Sequence, residues 1–144
     1  MKQILTLVVD KISSEKKKQP FGPIQISSNN QIIAITKETM PDGSYGLSVK
    51  FRYLTKYLNK DIEIGTIDIS GKVYYNGDRY EQILELWKNE KKMEPADSAN
   101  IINVILSEAS VTAVIISNQI KLPPPIPLPR AKAATKKVDT SYID

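Results

Sequence analysis

Asp61 and Glu63 stand two apart in a segment whose apolar alternation reads as a strand, with Asp68 close behind. Side chains two apart on a strand share a face, which is the placement that paired carboxylates need for general acid–base work. Such a pair needs a partner base, a metal ligand or a pocket. The chain has no histidine and no cysteine, so Ser-His, Cys-His and His- or Cys-based metal arrangements are ruled out. It also has no Gly-rich phosphate loop and no nucleophile elbow. The three carboxylates therefore read as a solvent-facing strand edge. No catalysis is expected, and no cofactor or metal is implied.

The second candidate chemistry is aromatic and basic. Phe51, Tyr53, Tyr57, Tyr74, Tyr75 and Trp87 accompany Lys50, Arg52 and Lys56. Tyrosines interleaved with cations can form a stacking platform for single-stranded nucleic acid. The stronger reading puts Phe51 and Trp87 in the core and the tyrosines half-buried under helices. Two basic clusters stand apart, Lys11 with Lys16, Lys17 and Lys18, and Arg130 with Lys132, Lys136 and Lys137. They read as a solvated loop and tail, or as contacts for a ribosome, RNA, an acidic partner or a membrane surface. The net charge is only +4, so position matters more than the total.

The run from Leu122 to Pro129 is extended, because proline fixes φ at most of its positions. It misses the PxxPxR spacing of an SH3 ligand, since Leu128 stands where a proline is needed. Leu122, Ile126 and Leu128 make it apolar enough to pack on the protein itself.

The elements that would position these groups follow from periodicity. At 144 residues the chain is one domain by length. A domain of that size buries roughly 68–70% of its unfolded surface. Strands are expected around Leu5–Val9, from Ile24 to Ile35 with a bulge or loop at Ser27–Asn30, over Leu47–Tyr53, and from Ile62 to Val73. Met40-Pro41-Asp42-Gly43-Ser44 is a turn by its chemistry. The apolar phase shifts at Gly65, which predicts a bulge there. Asp78 and Glu81 predict a capping box for a helix carrying Tyr80, Ile83, Leu84 and Trp87 on one face. Pro95 is expected to stop it, with Asp97 or Ser98 capping the next helix. Ile101–Ile120 is apolar nearly all round and reads as a sandwiched helix by length, although its β-branched content also suits a strand. Asn103, Glu108 and Asn118 interrupt it, and Ile4–Val9 lacks the features of a signal peptide. A cytoplasmic protein is expected.

A long first strand ends in Asp10-Lys11-Ile12-Ser13-Ser14-Glu15-Lys16, a four-stranded antiparallel meander and two helices follow, and Leu122-Pro123 and Pro129 close the order. This arrangement resembles the SecB family of protein-export chaperones, particularly its small archaeal SecB-like members. In that family the first strand carries a similar Lys-Asp-Ile-Ser-Phe-Glu stretch, and a Phe-Pro…Pro segment follows the last helix. The resemblance covers residues 1–130, with 131–144 left as a disordered basic tail. It implies an α+β fold, a four-stranded antiparallel meander sheet with two helices on one face. It also implies a homo-oligomer, dimer or tetramer, that holds unfolded or nascent chains in apolar grooves without ATP. The groove would draw on Tyr53, Tyr57, Tyr74, Ile115, Leu122, Ile126 and Leu128. Family members proper are strongly acidic where they dock the export motor, whereas this chain is basic. The competing reading is a ribosome- or nucleic-acid-associated protein working through Lys16, Lys17, Lys18 and the tail.

Overall fold

Strand β3 (Tyr45–Asn59) organises the molecule. Leu47, Val49, Phe51, Tyr53, Thr55 and Tyr57 alternate along it and are all buried, while Lys50 and Lys56 between them are exposed. Period-two burial of this kind fixes the register of every neighbour, because a slip by one residue would turn the apolar set toward water. The computed structural model describes residues 3–125. Ile126, Leu128 and the expected basic tail lie outside these residues.

Around β3 lie β1 (Ile4–Lys16), β2 (Gln25–Thr39) and β4 (Ile62–Asn76), followed by α1 (Tyr80–Glu90) and α2 (Pro95–Gln119). The strands form a four-stranded antiparallel meander sheet in the order β1-β4-β3-β2. Consecutive hairpins join β2, β3 and β4, and β1 closes against β4, so the β1–β2 connection crosses the end of the sheet. Both helices pack on one face, α2 over β1 and β4 and α1 over β2 and β3.

Several expected local features move. Ser27–Asn30 is neither loop nor bulge. β2 runs straight through it, because the Ser28 hydroxyl pairs with that of Thr55 across the ladder at 2.9 Å. The β2 bulge falls at Ile33, where the covered positions change from Ile32 to Ile35. The bulge expected at Gly65 is present one residue earlier, at Ile64, between the pairs Tyr57–Gly65 and Leu58–Glu63. A further bulge at Asp10 lets β1 continue to Lys16. Gly71 lies against the backbone of Val8 and Val9 at that bulge, too close for any β-carbon.

The helix ends also differ from expectation. Asp78 makes no capping box, and α1 starts from Arg79 without a side-chain cap. The Arg79 guanidinium instead donates to Asp97, at 3.1 Å from Nε and 2.9 Å from Nη2. Pro95 does not stop α1, which ends at Lys91 in the left-handed region. Pro95 sits in the first turn of α2, where its missing N–H costs nothing. Asp97 is therefore inside α2, buried and paired with Arg79. Trp87 lies at the rim of the core, with the Lys91 ammonium 5.8 Å from its ring. Ile83, one turn earlier, takes the buried position facing the sheet.

Candidate functional site

Two of the three carboxylates singled out by the sequence are held by cations. Lys17 donates to Glu63 at 2.7 Å, and Arg52 donates to Asp68 at 2.7 Å from Nη2. The hydrogen bond to Lys17 holds the Glu63 carboxyl below its ordinary range and raises Lys17 in turn. Glu63 is thus kept in the form that cannot donate a proton. Asp61 sits in the β3–β4 turn with positive φ. Among the described residues no group of acidic side chains is arranged to hold a metal ion.

The groove residues fall in three places. Tyr53, Tyr57 and Leu122 come together, but inside the closed core. The Tyr57 phenol donates to the Pro123 carbonyl at 2.7 Å, and the Leu122 N–H donates to the Ser117 carbonyl at 2.9 Å. Burial pushes Tyr57 up to about 12. The start of the proline segment therefore packs on the protein itself, as its apolar character led us to expect, and Gly65 leaves the space for Leu122. Tyr53, Tyr57 and Tyr75 are fully buried, deeper than the half-burial expected of them. Tyr74 points to the opposite, open face, in the same row as Thr6 and Ser48. Ile115 is on the outer side of α2.

The large apolar side chains that the helices leave exposed are all on α2. α2 buries Asp97, Ile101, Ile105, Ala109, Ala113 and Ser117, every fourth residue, with Ser110 beside them. Leu106, Val111 and Ile115 are turned outward and are 43%, 54% and 59% exposed. Phe21, in the β1–β2 connection, is 81% exposed. Contrary to the sequence reading, α2 is long and apolar enough to cross a membrane by length and composition alone. The partners of Ile115 were hidden in the sequence because α2 is apolar on every side, so periodicity does not separate its inner from its outer stripe.

The open face of the sheet holds a second feature that sequence reasoning missed. A cleft of about 510 Å³ lies where Ile4 and Thr6 of β1 and Tyr74 of β4 meet the β2–β3 turn at Met40 and Pro41. Glu38 and Asp42 stand at its edge. Asp42 accepts from both the amide and the hydroxyl of Ser44, bonds that hold its carboxyl below the ordinary range. No short motif announces this cleft, because β1 and the β2–β3 turn are distant in sequence.

The architecture defines an α+β protein with one covered and one open sheet face. Comparison with family models, with curated proteins and with solved structures returned no match.

Proposed function

We propose that the chain is a SecB-like holdase chaperone of the cytoplasm, binding unfolded or nascent polypeptides without ATP and working as a homo-oligomer. The observation that carries this reading is the pair Val111 and Ile115, one turn apart on the side of α2 away from its buried residues and, among the described residues, left exposed, with Leu106 exposed on a flank of the same helix. Exposed apolar side chains one turn apart gain by burial against any nonpolar segment laid across them. Each large side chain buried there contributes roughly 1.5–3 kcal/mol. Binding of that origin is insensitive to salt and needs no titratable group. The element order and the Leu122-Pro123 segment packed back on the sheet add support from the family resemblance.

The test is suppression of aggregation of an unrelated unfolded protein in 200 mM salt, alongside the mass in solution. The wild type should suppress aggregation and run larger than a monomer. Val111→Glu/Ile115→Glu should abolish suppression while leaving the melt intact, since both side chains point to solvent. A monomer at high micromolar concentration that leaves aggregation unchanged would overturn the proposal.

A further inference from the structure

The open face pairs its charges in one place and leaves them unpaired in another. Arg52 on β3 is matched by Asp68 on β4. Lys50 and Lys72, on the same two central strands, are direct cross-strand partners. Among the described residues neither has a carboxylate within ion-pairing distance. Lys11, opposite Ser70 in the adjacent row, is also without one. Like charges placed directly opposite destabilise a sheet. Two lysines directly opposite on one face can bring both ammonium groups to an anion that bridges them.

Tyr74 follows Lys72 on the same face of β4, two residues on, which is about 7 Å along a strand. Its ring lines the cleft with Ile4, Met40 and Pro41, and the carboxylates of Glu38 and Asp42 stand at the edge. An anionic group on the lysine pair is therefore one short step from an apolar, aromatic cleft whose lining includes Glu38 and Asp42. An acidic peptide fits the lysines but brings no flat ring to the tyrosine and no amino donor to Glu38. A nucleobase fits both parts. Its flat face stacks on tyrosine, and its amino groups donate to carboxylates as cytosine does in base recognition.

We infer that the open sheet face binds a nucleotide unit of single-stranded nucleic acid, with the base against Tyr74 and the phosphate across Lys50 and Lys72. The site lies on the side of the sheet away from the helices and does not depend on the holdase reading. It also differs from the contact expected of Lys16, Lys17, Lys18 and the tail.

The experiment measures binding of fluorescent single-stranded RNA decamers, each a homopolymer, to the full chain between 50 and 200 mM salt. The wild type should bind, with affinity falling as salt rises. Lys50→Gln/Lys72→Gln should lower the log–log salt slope by about 0.7, the value for the one phosphate the two lysines share on a single strand. The single variant Lys72→Gln should lower it by about half as much. Tyr74→Leu should keep the slope, weaken binding by about 5- to 150-fold, and level the differences between homopolymers. Lys16→Gln/Lys18→Gln should leave both properties in place. Thermal melts of all variants should match or exceed that of the wild type. The proposal fails if the wild type ignores RNA at 50 mM salt, or if the slope survives the lysine changes. It fails equally if Tyr74→Leu binds as the wild type does, or if oligoglutamate displaces the RNA at matched charge.

Discussion

The two faces of the sheet are built from the same strands and obey different rules. On the covered face, Leu47, Val49, Phe51, Tyr53, Ile67, Ile69 and Val73 meet Ile83, Ile101, Ile105 and Ala109 with nothing left to solvent. The open face carries cations, the carboxylate of Asp68, hydroxyls, and apolar groups such as Ile4 and Val8. The difference teaches where each kind of constraint acts. Packing dictates the covered face almost residue by residue, because any lost methylene leaves a void. The open face is free of that constraint, so an unfavourable arrangement such as the opposed lysines 50 and 72 needs another explanation.

The largest effect expected of a single substitution tests this contrast directly. Phe51→Ala, fully buried at the centre of β3, should destabilise by about 3–5 kcal/mol. Its neighbour Arg52→Ala removes a partly exposed ion pair to Asp68 and should cost less than about 1 kcal/mol. Equilibrium urea unfolding of both variants measures the ratio. Similar costs at the two positions would show that the open face is also packed, against a part of the molecule or a second copy.

The covered face was the legible one. Alternation over Leu47–Tyr53 is sufficient to place β3, and the parity change from Ile62–Ile64 to Ile67–Ile69 located the β4 bulge to within one residue. The same parity change between Ile32 and Ile35 marks the β2 bulge, but the polar run Ser27–Asn30 drew attention away from it. Asp78 with Glu81 has the spacing of a capping box, yet Arg79 is drawn to Asp97 eighteen residues on, and spacing cannot report a tertiary ion pair. The candidate sites were less legible still. Tyr53 and Tyr57 alternate with basic residues like a surface platform, and only the overlying helix and proline segment decide that they are core. The open-face cleft joins residues from both ends of the sheet, which no local pattern can connect.

The second prediction sharpens the contrast through pH. Tyr57 is covered and its titration is raised to about 12 by burial, against about 10 for an unfolded tyrosine. Below pH 10 both states are protonated and the stabilisation is complete. As pH rises from about 10 to 12 the unfolded state ionises first, and stability falls by up to about 2 kcal/mol. Tyr57→Phe should cost about 1 kcal/mol at neutral pH, since the Pro123 carbonyl loses its donor, and should flatten that alkaline decline. An unchanged decline in the variant would show that Tyr57 is not its source.

Asn30 is the covered face's own irregularity. It stands opposite Tyr53, and neither its side-chain nitrogen nor its oxygen has a hydrogen-bond partner. A buried amide in that state is destabilising, and valine suits a strand. Asn30→Val should therefore stabilise the fold by about 1 kcal/mol, read as a shift of the urea midpoint with the slope unchanged. A loss of stability would mean that the amide is satisfied in solution by a bound water.

The smallest effect belongs to the open face and has the opposite sign from a core mutation. Lys50 and Lys72 face each other across β3 and β4, so replacing one with a neutral strand former relieves a repulsion. Lys50→Thr should stabilise by about 0.2–1 kcal/mol, the usual range for a cross-strand pair. The gain should be largest at low ionic strength and fade as the Debye length shrinks from about 30 Å at 0.01 M to about 10 Å at 0.1 M salt. Melting wild type and variant across that range separates the two contributions: a gain that fades is repulsion relieved, and a gain that persists is threonine's better fit to a strand. A Lys50→Thr protein that is less stable at every salt concentration would mean that the lysine pair is satisfied within the fold. The lysines would then need no anion to account for them, and the contrast between the two faces would lose its clearest example.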